Sequence, residues 1–465
     1  MIFKPFSILD RSKEVFSKEN LLAPRDHAWL IVMRFFVGGL VFISAARTLY
    51  HGWAEQFFIK PTYMFPYYGF EWLPRPEASV VMAMFTGLVL AGLAIMAGAA
   101  YRLAMFTAFI LFTYLELLDV TNYLNHYYLL SLLTLLMCFL PAHKDLSIDS
   151  TLFCKIRNLP HYSWQHYLLR FQLSAVYFWA GMAKFGEDWL LHGQPLQIWL
   201  RSRLETPLIG PLLGLSQMPM LMSWMGFLFD STIWIFMLIP RTRRVAFLVL
   251  VSFHISTGLL FNIGMFPFIM TCAATCFFAP DWPRRIPFVG RLFAPAQTSR
   301  LHTPRTPVIA WSVIAIYCTF QMLFPARHLV YPGDVLWNEE GMRWSWKVMI
   351  REKNGDITYR VKLPERPHEM HVPPTRYLTD HQAREMSGQP DMILTLGKHI
   401  GKLYEEQGHK NVEVRVDAWV SLNGRAPALL IDPEVDLTKV SSSPFESSHW
   451  ILPSPSTPPP RLRTR

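Results

Sequence analysis

Long unbroken apolar runs recur along the first two thirds of the chain, separated by short polar turns. Crossing about 30 Å of hydrocarbon takes roughly 17–25 apolar residues in a helix. On that measure the pattern predicts nine membrane-spanning helices, at 29–49, 79–100, 103–119, 126–141, 166–185, 219–239, 244–261, 263–279 and 307–325. The pair around 244–279 is the least regular, because only Phe261-Asn262-Ile263-Gly264 joins the two. After residue 325 the pattern changes to short mixed segments. Trp344–Glu352 and Ile357–Leu363 flank Lys353-Asn354-Gly355-Asp356, and Val412–Leu422 and Ala428–Ile431 flank Asn423-Gly424. Asn-Gly between apolar runs is a strong hairpin signal. Between the two pairs, 378–407 carries helical spacing through Met392, Leu394, Leu396, Ile400 and Leu403. The expected fold class is therefore a polytopic α-helical membrane protein with a C-terminal extracytoplasmic α+β domain. Its parts are a cytosolic N-terminus over 1–28, a helical domain over 29–325, the α+β domain over 326–450 and a Pro/Ser/Arg-rich disordered tail over 451–465.

Composition and charge fit this reading. Hydrophobic residues make up 51% of the chain and aromatic residues 14%, more than a protein soluble throughout would carry. The net charge of +10 is no nucleic-acid signal, because acidic and basic residues nearly cancel after Ala326 and the excess sits in the membrane part. Alternate loops are basic: the N-terminus (Lys4, Arg11, Lys13, Lys18, Arg25), Arg102, the 142–165 loop, Arg241 to Arg244, and the 280–306 loop. The positive-inside rule then places the N-terminus in the cytosol and, with nine spans, everything after Pro325 outside. The first 27 residues lack a short apolar region with a small-residue cleavage site, so a cleaved signal peptide is not expected. All five cysteines fall in spans or cytosolic loops, which implies no disulfide framework. Cys272 and Cys276 share one helical face and read as small apolar packing residues.

Candidate chemistry lies in the polar residues of the spans. The run Phe171–Phe185 is an apolar helix that reaches Lys184. A charge in hydrocarbon costs about 2.5–3.5 kcal/mol even on the mildest scale, so such a residue either snorkels to the interface or marks a functional site. A desolvated lysine with no carboxylate on its helix face tends to lose its proton and act as a base. On the expected topology His126, Asn125, His254 and Asp119 fall at the same outer depth as Lys184, with Asn262 and Gly264 at the neighbouring turn. Each alone reads as an ordinary interfacial residue, but buried polar groups must find partners or do work, and five converge. The first outer loop, Trp53 to Trp72, is rich in aromatic residues and reads either as an interfacial belt or as a wall for a flat apolar ligand. The histidines are too scattered for a metal site.

These residues also carry a family resemblance. Asp119-Val120-Thr121-Asn122-Tyr123-Leu124-Asn125-His126-Tyr127-Tyr128-Leu129, Val176–Lys184 with Asp188-Trp189, Phe253-His254 with Leu260–Phe266, and Pro280–Arg284 resemble stretches of the vitamin K-dependent γ-glutamyl carboxylases, within the wider HTTM family. In the outer domain Trp344-Ser345-Trp346, Ile357–Arg360, Asp417–Ser421, Asp432–Asp436 and Ser443-Pro444-Phe445 with Trp450 match too, in collinear order over about residues 50–452.

The resemblance implies an enzyme that oxidises reduced vitamin K with O₂ to the epoxide while a glutamate of a protein or peptide loses its γ-proton and gains CO₂. Lys184 aligns with the family's base, His126 with the histidine of the carboxylation step, Asn125 with its neighbour, and His254 with a further pocket histidine; Asp119 and Asn262 would support them. The cosubstrates would be the vitamin K hydroquinone, O₂ and CO₂, with no metal. Partners would be membrane lipid, a glutamate-bearing substrate and a quinone-reducing enzyme in the same membrane, with no nucleic acid. Where animal members carry two adjacent lysines this chain has Ala183-Lys184, and where vertebrate members have a histidine-rich stretch it has Arg351-Glu352-Lys353-Asn354. It also lacks the family's later lumenal region and cysteine pair, which suggests a compact bacterial relative in the cytoplasmic membrane, with its C-terminal domain periplasmic (lumenal if eukaryotic). Two other readings compete: quinol epoxidation without carboxylation, and a non-catalytic protein that binds a quinone or lipid. Transporters favour inverted repeats and broken helices in matching halves, and none is visible in the sequence.

Overall fold

Residues 17–293, 308–446 and 448–460 are described by a computed structural model. The basic residues Lys4, Arg11, Lys13, Arg300 and Arg305 lie outside the described residues. Each of the nine apolar runs is helical: α1 (Ala28–Tyr50), α2 (Ala78–Ala97), α3 (Tyr101–Leu117), α4 (Asn125–Cys138), α5 (Ser163–Ala183), α6 (Met218–Leu238), α7 (Arg243–Leu260), α8 (Phe266–Ala274) and α9 (Val308–Leu323). Five are long and apolar enough to cross a bilayer by length and composition: α1, α2, α6, α7, and α9 with its 3₁₀ continuation to Val330. These make the chain an integral membrane protein. Nine spans are not confirmed: α3, α4 and α8 have 17, 14 and 9 residues and α5 carries Gln165, His166, Arg170 and Gln172 on its first half. Those polar groups have structural partners. Arg170 donates to the carbonyls of Cys276, Phe277 and Phe278 at 2.9, 2.7 and 2.9 Å, which ties α5 to the end of α8.

The C-terminal domain is a four-stranded antiparallel sheet in the order β2-β1-β3-β4, with β1 Lys353–Lys362, β2 Met370–Val372, β3 Glu413–Leu422 and β4 Ala428–Leu429. Strands β1 and β3 pair in unbroken register from Lys353↔Leu422 to Lys362↔Glu413. Alternation along β3 buries Val414, Val416, Ala418, Val420 and Leu422, as a sheet covered on one face requires. Covering it is the amphipathic helix α10 (Pro390–Glu406), with Met392, Ile393, Leu396, Ile400 and Tyr404 turned inward.

Two hairpins were expected and one forms. Asn423 and Gly424, both at positive φ, turn β3 into β4. Asn354-Gly355 instead lies inside β1, and Trp344–Glu352 is not a strand. A Cβ on Gly355 would sit 2.1 Å from the Ser387 carbonyl oxygen. Glycine stands there because another backbone approaches closely, which is the alternative meaning of glycine in a strand.

Two further expectations change. Phe65 and Tyr67 of the first outer loop are buried in the core of the sheet domain, Tyr67 stacks on Trp344 at 5.1 Å and Tyr63 on His399 at 4.2 Å. That part of the loop docks the two domains together and is neither belt nor wall. Of the tail expected to be disordered, 461–465 lies outside the described residues and 451–460 lies along the sheet: Ile451 bridges Ile431, the Leu452 carbonyl accepts from Trp337 Nε1 at 2.8 Å, and the Thr457 carbonyl accepts from Arg425 Nε at 2.7 Å. Proline-rich chain forms no ladder of its own, but its carbonyls remain good acceptors.

Candidate active site

The end of the helical bundle that meets the sheet domain holds a small, largely apolar cavity of about 90 Å³. Val176, Tyr177, Ala180 and Lys184 of α5 and its end, Gly226 and Asp230 of α6, Phe253 and His254 of α7, and Phe266 of α8 line it, and Val348 and Met349 close it from the sheet domain. Lys184 is the residue that caps α5. Its Nζ lies 2.7 Å from Asp230 Oδ2, 3.2 Å from the Ala180 carbonyl oxygen and 5.3 Å from the centre of the Trp189 ring. Lysine and aspartate are 6% and 7% exposed, so water screens the pair little.

This overturns one expectation. Lys184 has no carboxylate on its own helix, but α6 supplies one across the interface. Gly181 explains how: a Cβ there would lie 2.6 Å from Ser231 Oγ and 2.8 Å from the Ser231 backbone. The missing side chain lets α5 and α6 approach closely, as small residues do between membrane helices, and brings Asp230 within reach one turn beyond. Removing one member of a buried ion pair generally costs about 3–5 kcal/mol, because the survivor is left charged and unpaired.

His254, 2% exposed, faces the same cavity. Its Nε2 is 2.9 Å from the Tyr177 hydroxyl, and its Nδ1 is buried without a partner among the described residues. With the tyrosine donating, Nδ1 carries the hydrogen and is free to donate to a ligand. His126 lies behind Phe266, whose ring centre is 6.1 Å from that of His126 and 5.9 Å from that of His254. The α7–α8 turn packs on His126, with a Cβ on Gly264 placed 3.8 Å from its Nε2.

Asn125 belongs to a second, more polar cavity of about 220 Å³ between the domains, lined also by Tyr123, Glu339, Arg343, Lys347, Met349 and Arg351. Its Oδ1 accepts from the Tyr123 hydroxyl at 3.0 Å, which in turn accepts from the Trp344 amide at 2.8 Å. Met349 lines both cavities, so the two are neighbours. Arg343 pairs with Asp391 and Arg351 with Glu339. Lys347, 9% exposed, has no hydrogen-bonded or ion-pair partner among the described residues. Burial pushes its ammonium down to about 8, opposed by Asp334.

His126 lines neither cavity, and two further expected site residues lie elsewhere. Asp119 is fully buried, accepting from the Thr121 amide and hydroxyl at 2.9 and 2.8 Å and from Gln382 Nε2 at 2.8 Å. It caps a 3₁₀ turn and ties the bundle to the sheet domain. Asn262 is exposed and accepts from Arg203 at 3.2 Å; its neighbours Phe261 and Ile263 reach the cavity instead. Sequence reasoning missed Asp230, although it is the one acidic residue in the apolar run of α6. It also missed the clamp behind Trp189. Asp188 accepts from Arg425 at 2.6 and 2.7 Å and from Asn423 at 2.7 Å. Burial opposes ionisation of Asp188, but these hydrogen bonds outweigh it and hold its carboxyl below the usual range.

The HTTM domain model matches residues 22–282, and the model of the vitamin K-dependent gamma-carboxylase lumenal domain matches residues 306–457. No solved structure matches the chain.

Proposed function

Because the chain belongs to the HTTM family and, within it, to the vitamin K-dependent γ-glutamyl carboxylases, we propose that it couples oxygenation of reduced vitamin K to γ-carboxylation of glutamate in a protein or peptide. The observation that carries this reading is Lys184, a buried amine in an apolar cavity next to a polar cavity with an unpaired ammonium. Reduced vitamin K, when bound, supplies the electrons for oxygen chemistry and the strong base that results. Lys184 takes a hydroxyl proton, and His254 Nδ1 is the free donor that orients the substrate. Asn125, in the polar cavity, and His126, packed against Phe266, serve the carboxylation step. Apolar walls exclude the water that would quench a strong base and a carbanion. Ligand pockets usually enclose roughly 300–1,000 Å³, so admitting a fused ring requires the walls to part, and Met222 and Met270 are the adaptable side chains there. No group of three or more His, Cys, Asp or Glu residues suited to a metal occurs among the described residues.

In this reading the N-terminus is cytosolic, the nine helices cross or enter the bilayer, and the sheet domain lies outside. A quinone-reducing enzyme in the same membrane returns the cosubstrate. A glutamate-bearing peptide enters along the polar cavity, where Lys347 pairs with its carboxylate. A hydrogen bond to a charged group contributes about 1.5–3 kcal/mol, so Lys347→Met raises KM for a glutamate peptide about 10–100-fold. The ammonium is the binding form and is lost as pH rises through about 8. KM for the peptide therefore climbs above that pH in the native protein, and Lys347→Arg removes the climb. A peptide KM that is flat from pH 7 to 9 refutes the assignment.

The direct assay uses the purified chain in lipid nanodiscs with reduced vitamin K, O₂, labelled bicarbonate and a glutamate peptide, counting epoxide and peptide-bound label separately. Both products establish the coupled reaction. Epoxide without label across a panel of peptides reduces it to an epoxidase, and neither product from folded protein overturns it.

A further inference from the structure

Lys184 is held by three contacts that all suit an ammonium: a carboxylate at 2.7 Å, a carbonyl oxygen at 3.2 Å and the face of Trp189. As a base it needs a free lone pair, so its proton needs somewhere to go. Bulk water is excluded by the apolar walls. The ionisable groups that line the cavity besides Lys184 are Tyr177 on its own helix, Asp230 from α6 and His254 from α7; the α7–α8 turn, α8 and the Val348-Met349 segment bring none. Tyr177 and His254 are engaged with each other. Asp230 alone among them touches the lysine.

We infer that Asp230 is the proton store of the site: it takes the proton of Lys184 before the substrate is deprotonated, while the walls are closed, and releases it to water when they part for the product to leave. The inference rests on the functional reading above. In the first transfer an Nζ–H bond breaks, an Oδ2–H bond forms, and both formal charges vanish, which removes the desolvation cost of holding two ions in a low-dielectric cavity. The freed lone pair of Nζ then takes a hydroxyl proton from the hydroquinone. That O–H bond breaks, its electron pair stays on the oxygen, and an N–H bond forms. One proton per cycle leaves from Asp230, restoring the carboxylate, so protons gained and lost balance. Asp230 acts through Lys184 and is in that sense a positioning residue.

The test combines kinetics with a measurement independent of turnover. Asp230→Asn keeps the shape of the side chain but cannot accept the proton. The expected result is a kcat for epoxidation lowered about 100-fold, the scale of proton-transfer catalysis, with KM for the hydroquinone unchanged. Asp230→Glu retains much of the rate, and added formate restores rate to Asp230→Ala. Infrared difference spectra are recorded without oxygen, on adding reduced vitamin K. They gain the carbonyl band of a protonated carboxyl in the native protein, and the band is absent in Asp230→Asn. Because Asp230→Asn leaves a buried cation unpaired, the double variant Lys184→Gln/Asp230→Asn serves as the folding control: it is expected to be as stable as the native chain and as inactive as Lys184→Ala. An Asp230→Asn protein within threefold of native activity overturns the inference. So does a loss that formate does not restore and that comes with no protonated-carboxyl band. A native protein that yields the infrared band but no epoxide under oxygen refutes the functional reading and leaves the proton store standing.

Discussion

Lys184→Ala lowers vitamin K epoxidation by about 10²–10⁴-fold, the range attributable to a positioned proton acceptor. Alanine alone is a poor witness, since it strands Asp230 as an unpaired carboxylate in a cavity where the partner lay at 2.7 Å, and the lost rate mixes chemistry with folding. Lys184→Arg separates the two. Guanidinium keeps the ion pair with Asp230, yet it does not give up a proton in proteins. The arginine protein is expected to be folded, with thermal stability near that of the native chain, and as inactive in epoxidation as the alanine protein. Substantial turnover by either variant removes Lys184 from its role as base.

His126→Ala separates the two half-reactions. Phe266 stands between His126 and His254, so His126 is set back from the cavity of the lysine. The next residue back in the chain, Asn125, opens into the polar cavity with Lys347. Loss of the imidazole is expected to lower peptide-bound label by about 100-fold or more while epoxide formation falls far less. A product-resolved assay reads both from one reaction. Equal loss of epoxide and label takes away the separate role of His126.

Much of the helical architecture was legible because membrane segments announce themselves through length and apolarity, two properties that need no partner to be seen. The hairpin at Asn423-Gly424 was legible for a similar reason: both residues are at positive φ in a local turn. Asn354-Gly355 carries the same dipeptide, but Ser387, distant in sequence, dictates its use. Lys184 and His254 were expected at one depth and do share a cavity. Asp119 and Asn262 were placed at that depth as well, yet depth says nothing of azimuth, and their partners Gln382 and Arg203 lie outside it. Asp230 was visible to the argument that singled out Lys184. What the sequence alone does not display is that Gly181 lets two helices approach closely enough to make them a pair.

The Arg425–Asp188 clamp bears on how such proteins are recombined. The turn after β3 grips the residue next to Trp189, and Trp189 lies beneath the amine. A sheet domain transplanted from one relative to another thus arrives with half of a lock whose other half sits in the membrane part. Grafts that carry the 186–195 segment along with the domain keep the fit, and grafts cut at the boundary near residue 325 break it. The unit of inheritance is discontinuous in the chain although it is contiguous in space.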